Sequence, residues 1–311
     1  MLHSPVFLSG GSGFVGTAVV RELLQRGYPV RAVVHSRGLR VEDARVTCFR
    51  GELDDVHVVE RVMAGCSAAI HLVGIIAERT KEGVTFHRMH VDFTRRVVDE
   101  CVKANVTRYV HMSEAGARAD GPAMYHQTKA AAEQIVRASP LAWTIFRPSL
   151  IHGADGELIR MLLGWVDGKQ IPYAFMPYFG GGVFGQGREY LVQPVGVEDV
   201  ARAFVDALER PGTIGRQYDL GGAQRLSWRE MYQHFAMATR HRRKMTVAIP
   251  AWYALLLARL LPGNLLPFNG DQVRMSQEDN IADMAAFQAD FGYTPEGFDV
   301  ALAKYAGALG R

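Results

Sequence analysis

Gly10, Gly13 and Gly16 punctuate the run Gly10-Gly11-Ser12-Gly13-Phe14-Val15-Gly16, which follows the apolar Val6-Phe7-Leu8 directly. Behind the glycines, Val15, Ala18, Val19 and Leu23 fall at i, i+3, i+4 and i+8, one face of a helix that Gly27 is placed to stop. The chain must therefore open as strand, tight turn, helix. Further apolar runs follow at Val30–Val34, Val46–Phe49, Ala68–Val73, Tyr109–Met112 and Trp143–Phe146, separated by amphipathic stretches. That rhythm makes six strands and predicts an α/β fold, a Rossmann-like doubly wound parallel sheet.

After residue 150 the rhythm changes. Tyr178 to Gly187 is rich in glycine and aromatics, has neither period, and reads as a long mobile loop. Ser227-Trp228-Arg229-Glu230 is a capping box that should start a helix. We therefore expect a nucleotide-binding domain over 1–150 and a smaller C-terminal substrate or partner lobe over 151–311, with part of 190–220 returning to the first domain. Met161–Trp165 reads as core or pocket wall.

Composition narrows the function. Hydrophobic residues make up 48% of the 311, enough for a large core, and 35 basic against 32 acidic residues leave a net charge of +3. That balance excludes a nucleic-acid footprint unless the cations cluster on one face. The run His241-Arg242-Arg243-Lys244 is short and reads as a solvated loop or helix end. Cys48, Cys66 and Cys101 have no paired spacing, which points to a reducing compartment and to small apolar fillers. The opening MLHSPVFLSGG carries no secretory pattern, so a cytoplasmic chain beginning near Met1 is expected. Met245–Ala258 is uncharged but only 14 residues long, below the roughly 18–20 that cross a bilayer. It reads as a buried helix of the second lobe, with docking on a membrane surface or a membrane-bound partner as the alternative.

The glycine turn lets a dinucleotide pyrophosphate approach the backbone donors of a helix N-terminus, which would put Gly10, Ser12, Gly13, Phe14, Val15 and Gly16 at the phosphates. An acidic residue after the second strand would favour NAD; this chain has His35-Ser36-Arg37-Gly38-Leu39-Arg40 instead. With His35, Ser36, Arg37 and Arg40 there, a 2′-phosphate is accommodated and NADP(H) is expected over NAD(H). The alternative is that Arg37 and Arg40 are plain solvated cations. Tyr125-His126-Gln127-Thr128-Lys129 places Tyr125 and Lys129 on one helix face, twelve residues after Ser113. The ammonium could lower the phenol pKa, making Tyr125 the acid/base, Lys129 its partner and ribose holder, and Ser113 the group that orients a substrate oxygen. His87 and His90 lie three apart without a third metal ligand, and read as ordinary helix histidines.

These motifs resemble the extended and atypical short-chain dehydrogenase/reductases from Val6 to about Leu220. The resemblance implies that Glu52 and Leu53 meet the adenine, that Leu72, Val73 and Gly74 line the cofactor after the fourth strand, and that Met112 contacts it after the fifth. It also implies that Phe146-Arg147-Pro148-Ser149-Leu150-Ile151-His152-Gly153 passes the nicotinamide through Pro148, Ser149, Leu150 and Ile151. Gln193–Ala201 is similar to the family's later signature. Val110–Ala117 and Trp143–Ser149 are most similar to the branch typified by the 39 kDa accessory subunit of respiratory complex I, which implies a tightly held NADPH and a role that is structural in some members. His90 stands where many extended members carry an asparagine that orders a relay water. Two functions stay open: an NADP(H)-dependent oxidoreductase or epimerase of a small carbonyl, alcohol or sugar nucleotide, or a non-catalytic NADPH-binding accessory subunit of a quinone-linked respiratory membrane complex. A homodimer and a peripheral site at the inner face of the membrane are further partner expectations.

Overall fold

The structure is a computed structural model that describes residues 3–35, 38–185, 187–261, 266 and 268–309. In chain order its first elements are β1 (Val6–Ser9), α1 (Phe14–Gln25), β2 (Val30–Val34), β3 (Val46–Arg50), α2 (Val56–Met63), β4 (Ala68–His71), α3 (Phe93–Lys103), β5 (Arg108–Met112), α4 (Met124–Ala138) and β6 (Ala142–Pro148). Next come β7 (Ile151–His152), α5 (Glu157–Val166), β8 (Met176–Gly180), β9 (Leu191–Val192), β10 (Val195–Gly196), α6 (Val197–Glu209) and β11 (Arg216–Leu220). The chain closes with β12 (Leu226–Ser227), α7 (Trp228–Arg240), β13 (Thr246–Pro250), α8 (Ala251–Leu260), α9 (Gly270–Met275), α10 (Ala285–Phe291) and α11 (Phe298–Ala306).

Two compact units result. The first holds Met1–Pro148, Val197–Leu220 and Asp283–Tyr293; the second holds Ser149–Gly196, Gly221–Ala282 and Thr294–Arg311. A seven-stranded parallel sheet in the order β11-β6-β5-β4-β1-β2-β3 forms the centre of the first unit. The six strands read from the sequence are all there, with β4 stopping at His71 rather than Val73, and β11 adds the seventh. β1 and β4 are buried throughout, as a parallel strand covered on both faces must be. Phe7, Ala69, Tyr109 and Ile145 point into a cluster with Val59 and Met63 of α2, Val97 and Cys101 of α3 and Val136 of α4. Phe146, one residue on, turns to the other face and meets the Phe204 ring at 4.8 Å. There α6 packs on α1, and Val19, Val20 and Leu23 are buried. The buried side of α1 includes Gly16, Val20 and Leu24, while Val15 and Ala18 are half-buried, so the inward face is rotated from the one the spacing suggests. Gly27 (φ +82°) follows the helix as expected.

Cys66 and Cys101 fill the core, but Cys48 is exposed, which corrects the reading of all three as fillers. The reason is topological: β3 ends the sheet order and lacks the two-sided cover of the inner strands.

In the second unit, Ile159, Leu162 and Trp165 of α5 pack with Met176, Met231, Phe235, Phe298 and Leu302. The capping box starts α7: Glu230 N–H donates to Ser227 Oγ (3.2 Å) and Ser227 N–H to Glu230 Oε2 (2.8 Å). Tyr178, Phe179 and Gly180, expected in a loop, belong to β8, which pairs in parallel with β13 from Met176↔Thr246 to Gly180↔Pro250. The partner lies 70 residues away, so no local period announces it. Met245–Ala258 is likewise not a buried helix. Thr246–Pro250 is strand, and in α8 only Ala254 is buried. Gln186 lies outside the described residues.

Candidate functional site

Strands run outward from β1 in two directions, through β2 to β3 and through β4 to β11. In such sheets the crevice for a ligand opens at the carboxyl ends where the order reverses. The glycine turn sits there. Gly10 is left-handed (φ +79°), and a Cβ on it would stand 3.0 Å from Leu72 C and 3.1 Å from Val73 N. Gly13 N–H donates to Gly10 O at 3.1 Å. At Gly16 a Cβ would lie 2.2 Å from Gly10 O, so the helix can approach the turn this closely only without one. Gly13 caps α1 with no side-chain acceptor, which leaves the amides of Phe14, Val15 and Gly16 without a capping side chain. Free donors at a helix N-terminus and a turn too tight for a Cβ at Gly10 or Gly16 fit a pyrophosphate. Half-buried Ser12 stands in the same turn.

At the end of β2, His35 Nε2 lies 3.1 Å from Glu52 Oε1, and Arg88 donates to Glu52 Oε2 (2.7 Å) and Asp54 Oδ2 (2.6 Å). The Arg88 guanidinium lowers the Asp54 pKa. Glu52 is thus engaged by His35 and Arg88, while Leu53 is buried beneath. Arg40 is exposed and has no ion pair among the described residues. Leu39 packs over the glycine turn, its Cδ2 2.9 Å from where a Gly11 Cβ would be. Ser36 and Arg37 lie outside the described residues.

The second constellation assembles at the end of β5. Tyr125 and Lys129 are one turn apart on α4, and Lys129 Nζ donates to Met112 O at 3.0 Å, which brings the ammonium to the backbone next to Ser113. Ser113 N–H is held by Phe146 O (2.7 Å), whereas its buried Oγ has no hydrogen-bond partner among the described residues. A Cβ at Gly74 would stand 3.0 Å from Lys129 Nζ, so the loop after β4 closes on the lysine. Pro148 O accepts from Ala115 N–H at 3.0 Å. Ser149, Leu150 and Ile151 fall in the second unit, where Ser149 Oγ donates to Gln193 O and Ile151 lies in β7.

Burial sets the charges here. It brings Lys129 down to about 8, against the pull of Glu114 and Glu133. Burial and the Glu114 charge push the Tyr125 phenol up. The expected lowering of Tyr125 by Lys129 is therefore not found in the protein chain alone. The ammonium bonds to a carbonyl, while the phenolate would face desolvation and a carboxylate.

Several residues here were not singled out as site residues from sequence. Glu114 is buried, accepts from Gly116 N–H (2.9 Å), and lies 3.8 Å from His126 Nε2; desolvation raises it to about 7. Glu133, two turns beyond Tyr125, holds Arg147 in a two-pronged pair, 2.6 Å at each prong. The i, i+4, i+8 spacing of Tyr125, Lys129 and Glu133 was the available signal. His90 accepts from Ile75 N–H at Nε2 (3.1 Å), so its proton sits on Nδ1, facing Thr128 Oγ1 (2.9 Å). Thr128 donates onward to Met124 O (2.8 Å). Burial, then Lys129, brings His90 down to about 2, and the same causes bring His71 to about 3. His90 is thus a neutral strut between α4 and the loop after β4. His87 pairs with Asp92 at 3.2 Å.

The family profile described as NAD(P)H-binding matches residues 10–167 of the 311. The chain belongs to this NAD(P)H-binding family. The curated relatives that match the chain include reductases, in line with the short-chain dehydrogenase/reductase resemblance of the motifs. The chain is 24% identical over 247 residues to NADH dehydrogenase [ubiquinone] 1 alpha subcomplex subunit 9, mitochondrial, of Dictyostelium discoideum, covering 77% of this chain and 65% of that one. It is 32% identical over 159 residues to ceramide reductase of Caulobacter vibrioides, covering 50% and 49%. The chain thus spans about half to just under two thirds of these two relatives. Among solved structures, MoeE5 in complex with UDP-glucuronic acid and NAD has the same fold, with a TM-score of 0.72 at 22% identity over 96% of both chains. Among the described residues no helix is long and apolar enough to cross a membrane.

Proposed function

We propose that the chain is an NADP(H)-dependent oxidoreductase or epimerase that acts on a small carbonyl, alcohol or sugar nucleotide. The observation that carries this reading is the buried Ser113 Oγ with no hydrogen-bond partner among the described residues, next to Met112, whose carbonyl holds a lysine one turn from Tyr125 on α4. A buried hydroxyl costs stability unless something bonds it, and a substrate oxygen would do so. Gly10, Ser12, Gly13, Phe14, Val15 and Gly16 would hold the pyrophosphate, Leu53, Leu72, Val73, Gly74 and Met112 would line the crevice, and Arg40 would take the 2′-phosphate that Glu52, already bonded to Arg88, does not repel.

A bound NADPH supplies hydride. The protein's part is the proton: Tyr125, whose phenol is held protonated, donates O–H to the carbonyl oxygen as the alcohol forms. Ser113 Oγ–H would steady that oxygen, and Lys129 would hold the ribose.

The test pairs a titration of cofactor-stripped protein with NADPH and NADH, read by nicotinamide fluorescence, with a carbonyl screen on wild type and Tyr125→Phe. Preference for NADPH, with turnover lost and cofactor binding kept in Tyr125→Phe, is expected. Binding of neither nucleotide, or full turnover by the variant, overturns the proposal.

A second reading is favoured by the likeness to the Dictyostelium subunit over 77% of this chain: a non-catalytic NADPH-binding accessory subunit of a quinone-linked respiratory complex at the inner face of the membrane. Co-purification with a membrane complex that assembles equally with Tyr125→Phe would support it.

A further inference from the structure

In the second unit, α8 is packed inside out. Its sequence, Ala251-Trp252-Tyr253-Ala254-Leu255-Leu256-Leu257-Ala258-Arg259-Leu260, has a single charge, yet the residue it buries is the small Ala254. At 100° per residue, Arg259, Trp252, Leu256, Leu260 and Tyr253 form one continuous arc of about 120°. All five are exposed, Leu260 to 69% and Trp252 to 54%. The Trp252 indole N–H donates to Val183 O at 3.0 Å, which ties the arc to the 181–185 loop and its exposed Val183 and Phe184, the latter 77% exposed. With Leu261, the arc and the loop expose seven large apolar side chains, whereas an ordinary monomer surface scatters such residues singly.

Charge decides what covers it. From Met231 to Gly270 the chain has no Asp or Glu, but it carries Arg240, Arg242, Arg243, Lys244 and Arg259. Arg240 is spent on Asp167, and Lys244 Nζ bonds to Tyr173 O. Arg242, Arg243 and Arg259 are exposed and have no ion pair among the described residues. A second copy docking by this face would set like charges against like. An anionic, apolar surface satisfies both features at once.

We propose that the α8 face, with Arg259 in its arc and the 181–185 loop tied to it, seats the protein on a lipid surface bearing anionic headgroups. α8 lies in the interface plane, because ten residues reach about 15 Å, half a bilayer core. Leu256, Leu260 and Phe184 enter the acyl boundary. Trp252 and Tyr253 sit at headgroup level, where amphipathic rings are enriched, and Arg259 meets phosphate. This inference does not rest on the cofactor reading.

The experiment is flotation of the full chain with phosphatidylcholine vesicles, with and without phosphatidylglycerol, alongside sedimentation velocity without lipid. Binding to the anionic vesicles should be about fivefold tighter than to neutral ones, given the one cation in the arc. It should weaken in salt, and disappear in Leu256→Glu/Leu260→Glu, whose circular dichroism and urea midpoint show whether it folds. If that variant does not fold, Arg259→Ser gives a second measure, and brominated lipid should quench wild-type fluorescence more than that of Trp252→Phe. No flotation of wild type with anionic vesicles overturns the proposal. So does a lipid-free dimer that the α8 variant dissolves, which would assign the face to a second copy.

Discussion

Glu114→Gln should stabilise the protein, and only above the pH at which a normal glutamate ionises. The Glu114 carboxyl has its pKa raised from 4.5 to about 7, first by burial, with the Gly116 N–H, Lys129 and Arg147 opposing the rise. In the unfolded chain it ionises near 4.5. Between pH 4.5 and about 7 the native state therefore binds the proton that the unfolded state has lost, and stability falls as pH rises through that window. At about 1.4 kcal/mol per pKa unit, the cost approaches about 3 kcal/mol above pH 7 and vanishes below 4.5. A glutamine keeps an acceptor for Gly116 N–H and has no charge to bury, so it removes the cost. Urea denaturation of wild type and variant at pH 4.5, 6 and 8 measures it, and other titrating groups cancel in the difference at each pH. The variant should match wild type at the lowest pH and exceed it by about 2–3 kcal/mol at the highest. A difference that stays constant across the three pH values would refute the argument, because it would mean that burial of this charge is not what links stability to pH here.

Gly16→Ala should lower NADPH affinity at least tenfold and reduce the melting temperature. Its Cβ would fall 2.2 Å from Gly10 O and 2.6 Å from Gly11 Cα, both backbone atoms, and that clash outweighs the roughly 1 kcal/mol an alanine gains in a helix. Unchanged affinity with a higher melting temperature would contradict it. With an aromatic disulfide reagent, Cys48 alone should react in the native protein, and Cys66 and Cys101 should follow only in urea. Cys48 is exposed, whereas burial pushes the Cys66 thiol to about 11 and that of Cys101 higher still.

Local features were legible because their causes are local. The glycine turn, the capping box at Ser227, and the Tyr125–Lys129 pair on one helix face each express geometry set within about one turn of chain. The strands of the sheet announced themselves as apolar runs because parallel strands are buried on both faces. Where the cause was distant, the reading failed or was silent. Nothing near Tyr178 says that it pairs with Ala248, and nothing near Ala285–Phe291 says that this helix belongs with the sheet of the first unit.

By itself, then, the sequence determined a parallel α/β sheet with a dinucleotide turn and the positions of Ser113, Tyr125 and Lys129, since periodicity and backbone sterics act over a few residues. Only the tertiary structure decided the environments: that Glu114 is buried against His126, that His90 is a neutral strut, that Glu133 clasps Arg147, and that α8 turns its leucines outward. Solvation and pairing depend on which distant segments close around a side chain, and a hydrophobic helix reads the same in one dimension whether its apolar face meets a core or water.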